Sequence, residues 1–310
     1  MNNIDTITMI AQYEGRNLKP NTANISQVPN FTCIGGRVTH IDNYLAHDNA
    51  DRLPSFAKIL NGNILPNVNK SFKGKFGIEL HDSNSYLVND LDYSNVMVWS
   101  RNKYDRKSVL IPDVYQYTNY LPSCTDTINP DMKKNKIGFF GTTTGSRNPF
   151  RNSRIKMCQW SIDKNYIDCY ITNIAQMTID EFKTVDRYQE ILHPYVPTQE
   201  QFKYKYLLDI PGNTYSWNRV PMILQSNSLL FKMPCADKAW YYPLLHPGEH
   251  YVEVDKDNIE KKFMYYENNP KEYAFIVENA NRFVSSYLKT VHAYMYMVNL
   301  LEESHFWNRK

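Results

Sequence analysis

From Lys75 onward, short apolar runs separated by turn-forming residues recur along the chain. They are Phe76 to Leu80, Val96 to Ser100, Val109 to Ile111, Ile137 to Phe140, Ile167 to Ile171, Tyr204 to Ile210, Leu229 to Lys232 and Tyr251 to Val254. Runs of this length, rich in β-branched and aromatic residues, predict strands. Between them, Asn152 to Asp163, Thr178 to Leu192, Ser216 to Gln225 and Asn258 to Glu267 predict helices. The alternation predicts parallel sheets with crossover helices, and the fold class is α/β. After Asn269, a candidate cap, Pro270 takes the first helical position, and Phe283, Tyr287, Val291, Tyr294, Val298 and Leu301 recur at spacings of four and three. That spacing predicts one C-terminal helix with an apolar face. Residues up to Asn69 are rich in Asn and Asp and place few elements, whereas Leu121 to Asn135 breaks the apolar pattern and marks a boundary. The expected division is a first domain over 1–130, a second over 131–270 and a C-terminal helix over 271–310.

Composition narrows the class without naming a partner. Of 310 residues, 42% are hydrophobic and 22% charged, which suits two globular domains and excludes collagen-like and disordered chains. Thirty-five basic residues against 32 acidic ones leave +3, too even to indicate nucleic acid or an anionic membrane. The start lacks the cationic lead and apolar stretch of a secretory signal, and no segment approaches the ~20 apolar residues of a membrane span. The cysteines Cys33, Cys124, Cys158, Cys169 and Cys235 are odd in number and never form a C-x-x-C pair, so neither a disulfide frame nor a zinc ribbon is expected. A reducing, cytoplasmic compartment fits this usage, and the sequons at Asn24, Asn30 and Asn69 read as chance. Twenty-four tyrosines suit clefts for flat, polar rings, and they suit ordinary packing as well.

Two segments carry anion-binding chemistry. The strand ending at Phe140 runs into Gly141-Thr-Thr-Thr-Gly-Ser-Arg147-Asn-Pro, a hydroxyl-rich loop ahead of a helix. Gly141 and Gly145 permit close backbone approach, Thr142 and Thr143 donate hydroxyls, and Arg147 can pair with phosphate. The loop matches neither G-x-G-x-x-G nor G-x-x-x-x-G-K-[ST], which sets aside the dinucleotide and P-loop readings. A turn that merely caps the helix explains the same residues. The strand from Tyr204 leads into Pro211-Gly212-Asn213-Thr214-Tyr-Ser216-Trp-Asn218-Arg219, with Ser216 in a capping position and Arg219 in the first helical turn. Two such strand-to-helix turns at the carboxyl ends of strands could hold a pyrophosphate without a metal, arginines and helix dipoles supplying the positive charge.

The run from Lys203 to Trp217, with Leu229-Leu-Phe-Lys and Trp240 to Val254, resembles the protein O-glucosyltransferase (Rumi) and capsule-associated xylosyltransferase family, glycosyltransferase family 90. Phe140-Gly141 through Pro149 is similar to that family's other nucleotide loop. The likeness runs from about Ile137 to Leu288. It implies a GT-B fold of two Rossmann-like domains, the first facing the acceptor and the second holding the nucleotide sugar, with the C-terminal helix packed back on the first. It also implies inverting transfer of xylose or glucose from a UDP-sugar to a hydroxyl of a glycan acceptor. Gly141, Thr142, Thr143, Arg147, Gly212, Asn213, Thr214, Ser216, Asn218 and Arg219 are then the donor-site candidates. The family's arginine after the serine position falls on Asn218 here, with Arg219 displaced by one. Phe76 to Asp82, followed by Val96 to Ser100, resembles the family's catalytic strand, which makes Asp82 the candidate base and Glu79 its alternative.

Other constellations compete. Asp90-Leu-Asp92 is a D-x-D pair of the kind that holds manganese in a GT-A transferase. His246 and His250 lie in a Pro-Gly loop and suit a turn or a donor contact better than zinc, and His193 and His292 read as structural. No resident cofactor is expected, with Mn²⁺ or Mg²⁺ the alternative. A non-catalytic nucleotide- or glycan-binding module of the same fold is the rival to an enzyme.

Overall fold

The computed structural model describes residues 3–16, 30–34, 37–42, 52–68, 74–78, 96–105, 108–118 and 120–304. In chain order the elements are α1 (Asn3–Gly15), β1 (Asn30–Ile34), β2 (Arg37–Asp42), α2 (Arg52–Ile59), β3 (Gly74–Ile78), β4 (Val96–Val98), β5 (Arg101–Asn102), β6 (Val109–Leu110) and α3 (Tyr120–Ser123). They continue as β7 (Lys134–Thr142), α4 (Ser153–Ser161), β8 (Ile167–Asn173), α5 (Ile179–Lys183), α6 (Tyr188–Ile191), α7 (Thr198–Gln201), β9 (Tyr204–Asp209) and α8 (Arg219–Leu224). The last are β10 (Leu229–Lys232), β11 (Asp237–Lys238), β12 (Val252–Glu253), α9 (Ile259–Asn268), α10 (Pro270–Tyr287) and α11 (Thr290–Glu303). The fold is mixed α/β, and each apolar run named above carries a strand.

The chain divides into two compact units. The first comprises Met1–Asn119, Ala236–Tyr241 and Ser286–Lys310, and the second Tyr120–Cys235 and Tyr242–Ser285. In the first unit the sheet runs β2-β1-β3-β4-β6, with β11 and β5 forming a separate antiparallel pair. Parallel pairing is not general here: β1 lies antiparallel to both β2 and β3, while β3, β4 and β6 are parallel. The two-residue connection between β1 and β2 is too short for a crossover, which enforces the antiparallel pair. Glu14 on α1 receives both guanidinium nitrogens of Arg101, at 2.8 and 2.7 Å, and the Leu110 N–H at 3.1 Å. Tyr296 on α11 packs on Trp240, ring centroids 4.8 Å apart, and donates its hydroxyl to the Leu110 carbonyl.

Several sequence expectations need correction. The C-terminal helix is two helices, because Lys289 is extended (φ −68°, ψ 151°) and breaks the helical path between α10 and α11. The helix expected over 178–192 is likewise split into α5 and α6, with Arg187 left-handed at φ 55° between them. Residues 120–130, assigned from the sequence to the first domain, belong to the second unit. Gln225 holds them there by donating Nε2 to the Leu121 and Cys124 carbonyls, both at 2.7 Å.

The second unit is built on one all-parallel sheet in the order β12-β10-β9-β7-β8. From β7 the chain crosses through α4 to β8 on one side, then returns to β9 on the other side of β7. The order reverses between β7 and β9, which makes their carboxyl ends the topological switch point where open α/β sheets form crevices. The core places Ile137, Phe139, Tyr206, Leu208 and Phe231 of the strands against Ile155 and Cys158 of α4, Phe263 of α9 and Ile276 of α10. Each such side chain contributes about 1.5–3 kcal/mol through burial.

One buried ion pair closes the amino-terminal edge of this sheet. Lys133 Nζ donates to Asp126 Oδ2 at 2.6 Å, to Ser228 Oγ at 2.9 Å and to the Phe202 carbonyl, and neither charged side chain is exposed. Removing the cation strands a carboxylate in a dry site. Lys133→Met is therefore expected to lower the unfolding free energy by about 3–5 kcal/mol in urea titrations.

Candidate active site

The loops after β7 and β9 meet at the switch point. The first is pinned by Asn152, whose Nδ2 donates to the Thr143 and Ser146 carbonyls at 2.8 and 3.0 Å. Its Oδ1 accepts the Arg154 and Ile155 N–H groups at 3.1 and 3.2 Å, which caps α4. The cap takes two of the N–H groups in the first turn of α4, and the formal positive charge at this site comes from side chains. Thr143 is wholly buried, its hydroxyl exchanging hydrogen bonds with Ala175 at 2.7 and 2.8 Å. Gly145 holds a φ of 123°, and its N–H donates to Gln176 Oε1 at 3.0 Å.

Arg154, in the first turn of α4, joins the two loops. Its Nε donates to the Ile210 carbonyl at 3.0 Å, beyond β9. Nη1 donates to the Thr142 carbonyl at 3.1 Å, the Thr142 hydroxyl at 3.3 Å and the Thr144 hydroxyl at 2.5 Å. Nη2 makes no hydrogen bond to a described residue, so the guanidinium is fixed through Nε and Nη1 and keeps the donors of Nη2 unspent. Burial pushes the Arg154 guanidinium down to about 10, the Arg219 charge acts in the same direction and Asp209 opposes both. Asp209, at the end of β9, is fully buried with neither carboxylate oxygen hydrogen-bonded among the described residues. Gly212 lies against Arg154: a Cβ there would stand 2.7 Å from Thr144 Oγ1 and 3.0 Å from Arg154 Nη2.

Arg219 supplies the second cation. It donates Nη2 to the Phe140 carbonyl and Nη1 to Gln201 Oε1 at 3.4 Å. Both guanidinium carbons lie over the Phe139 ring, Arg219 at 4.9 Å and Arg154 at 5.9 Å from its centroid. These residues border a cleft of about 590 Å³, also lined by Gly141, Thr142, Thr172, Asn173, Asn218 and Met222, with Tyr195, Val196 and Thr198 along one rim. Two like charges held side by side are suited to an anion that spans them, such as a diphosphate.

Of the residues named from the sequence, Gly141, Thr142, Asn218 and Arg219 line this cleft. Gly212 supports Arg154, while Asn213 lies on the turn outside the lining. Thr214 is buried, donating its hydroxyl to the Tyr215 carbonyl at 3.0 Å and accepting from Trp217 Nε1 at 3.3 Å. Ser216 is not the cap of α8: Asn218 takes that position, without a side-chain cap bond, because the loop backbone delays the helix to Arg219. The Ser216 hydroxyl is buried and lacks a hydrogen-bond partner among the described residues. Arg147 is exposed, outside the lining, and pairs with no described residue. Asp82, Glu79, Asp90 and Asp92 lie outside the described residues. His250 Nδ1 accepts the His246 N–H at 3.1 Å, and burial holds its imidazole below the usual range. His292 Nδ1 accepts the Lys289 N–H at 3.3 Å, and the His193 ring packs on Tyr170. Sequence reasoning missed Arg154, Tyr195 and Gln201. The one signal for Arg154 was its place two residues after Asn152, where a capped helix turns its first side chains back toward the preceding strand.

The profile of Glycosyl transferase family 90 matches residues 130–305, more than half of the chain. The chain belongs to glycosyltransferase family 90. Both loops of this family 90 glycosyltransferase, and the whole cleft, fall inside the matched residues. Among solved structures, the C-terminal domain of a Glycosyl Transferase Group 1 family protein from Francisella tularensis is similar over 58% of this chain and 96% of that chain, at 13% identity and a TM-score of 0.34. No curated protein sequence matches.

The contact at Gly212 yields a direct expectation. Gly212→Ala forces Thr144 and the buried Arg154 apart, and overpacking of this kind costs about 1–3 kcal/mol. Chemical denaturation should register that loss, and a variant as stable as the parent would show that the loops do not meet as described.

Proposed function

We propose that this glycosyltransferase moves xylose or glucose from a UDP-sugar to a hydroxyl of a glycan acceptor, on a GT-B framework, with inversion at the anomeric carbon. The observation that carries the reading is the pair of guanidinium groups, Arg154 with an unspent Nη2 and Arg219 beside it, at the switch-point cleft inside the residues matched by the family. Diphosphate is the leaving group of such a donor, and preorganised cations act where its charge develops. Gly141, Thr142 and Asn218 border the same anion, with Ser216 and Arg147 at its margins.

In the proposed step Asp82 takes the acceptor proton as the hydroxyl oxygen attacks the anomeric carbon. The bond from that carbon to the β-phosphate oxygen breaks, and UDP departs from the opposite face. Asp82 enters through the family resemblance alone. The reaction needs no resident metal in this scheme, and the cytoplasm is its proposed compartment. A chain that binds UDP without releasing it from any UDP-sugar would be a binding module instead, and activity abolished by EDTA and restored by manganese would move the chemistry to Asp90 and Asp92.

Three expectations follow from the arrangement. Incubation with a panel of UDP-sugars and an oligosaccharide acceptor should release UDP, with EDTA leaving the rate largely intact. Arg219→Ala should weaken UDP binding by calorimetry roughly 10-fold or more, the loss expected for charged hydrogen bonds, whereas Arg147→Ala should weaken it less. Asp82→Asn should lower turnover ~10²–10⁴-fold with UDP affinity and melting temperature little changed. Near-normal turnover in that variant would make Glu79 or Asp92 the next residue to test.

A further inference from the structure

The cleft is also lined by Tyr195, Val196 and Thr198, which belong to His193-Pro194-Tyr195-Val196-Pro197-Thr198, a segment carrying two prolines. Proline fixes its own φ and restricts the residue before it, so His193, Pro194, Val196 and Pro197, which flank Tyr195, have little backbone freedom to lose. The segment is also anchored from behind. The His193 N–H donates to the Ile171 carbonyl of β8 at 2.9 Å, and the His193 ring packs against Tyr170 at 4.9 Å and Phe140 at 6.4 Å. On the other side, Gln201 donates Nε2 to the Val196 carbonyl at 2.9 Å while its Oε1 accepts from Arg219 at 3.4 Å. One buried amide therefore ties the rim segment to a cation of the cleft.

On this rigid support Tyr195 is 75% exposed, although it lines the cleft. The Tyr195 N–H and C=O and the Val196 N–H make no hydrogen bond with any described residue. The cleft lining thus combines two chemistries, the cationic guanidinium groups and an aromatic face with unspent backbone donors and an acceptor. A nucleoside diphosphate has two parts that match them, the diphosphate and the base.

We propose that Tyr195 is the stacking platform for the nucleobase of the donor, with the adjacent backbone groups of Tyr195 and Val196 free to meet the polar edge of the base. The inference rests on the nucleotide-sugar reading above. It adds the part of the cleft lining that fixes the nucleotide's orientation: base on Tyr195, diphosphate between Arg154 and Arg219. Because the platform is held by prolines, by His193 and by Gln201, little of the binding energy is spent on ordering it. Gln201 then acts as a positioning residue, since its two amide atoms hold the platform and Arg219 in one register.

Calorimetric titration of the whole chain with UDP and with inorganic pyrophosphate tests this. Tyr195→Ala should weaken UDP binding by roughly 5–150-fold, the range for one stacked base, and leave pyrophosphate binding unchanged, while Tyr195→Phe should keep most of the UDP affinity. Tyr195 is exposed, so the melting temperature should stay within about a degree of the parent. If Tyr195→Ala binds UDP as tightly as the parent, the base lies elsewhere and the platform is overturned while the donor reading stands; a tyrosine that instead stacks on an acceptor sugar would show up in this way, with the loss confined to acceptor KM. If Tyr195→Ala weakens UDP and pyrophosphate equally, the rim only supports Arg219, and the stacking role is again overturned. If the parent chain binds neither probe, the donor reading itself fails.

Discussion

The second unit depends on the burial of Arg154. A guanidinium removed from water needs its donors satisfied, and this one takes carbonyls and hydroxyls from both sides of the switch point, Thr142 and Thr144 after β7 and Ile210 after β9. It therefore acts as a cross-brace that sets the distance between the two loops. Gly212 must lack a side chain because the brace occupies the space a Cβ would need. Asn152 must cap α4 with its side chain because the loop it closes carries Thr142 and Thr144 to the guanidinium. A charge this well fixed is preorganised, so a bound anion gains its interaction without paying to organise the site.

From that constraint the functional geometry follows in order. An all-parallel sheet with a reversal between β7 and β9 leaves a crevice at their carboxyl ends. Arg154 lines that crevice with one guanidinium nitrogen, Nη2, that makes no hydrogen bond to a described residue, and Arg219, held by the Phe140 carbonyl, lines it as a second cation. The two like charges and the buried carboxylate of Asp209, without a hydrogen-bond partner among the described residues, make a site of concentrated field. Membership of glycosyltransferase family 90 gives the field its use, since a departing nucleotide diphosphate is where such an enzyme needs positive charge.

Much of the second unit was legible in the chain. Its strands announce themselves as isolated apolar runs because a parallel strand is buried on both faces, and the segments around Gly141 and Gly212 carried the resemblance to the family that the profile matches. What stayed hidden has physical causes. Arg154 reads as an ordinary helix residue, and only tertiary folding brings Ile210, distant in sequence, to its Nε. Ser216 looks like a helix cap, yet capping depends on where the backbone turns helical, and that occurs at Arg219. The apolar spacing of the C-terminal segment runs through the break at Lys289 and hides it: the face it picks out is not the buried one beyond the break, where Val291 is exposed and α11 buries Ala293, Tyr296, Met297, Leu300 and Leu301 instead. In the first unit, polar sequence conceals α1, β1 and β2, and the reading of Asp82 has no described structure to meet.

A crystal structure of the chain soaked with UDP tests the central claim most directly. The account predicts phosphate oxygens within about 3 Å of Arg154 Nη2, with Arg219 on the same diphosphate and the Arg154 bonds to Thr142 and Ile210 unchanged. A diphosphate bound away from the switch point, or one that reaches Arg154 only after those bonds break, would contradict it.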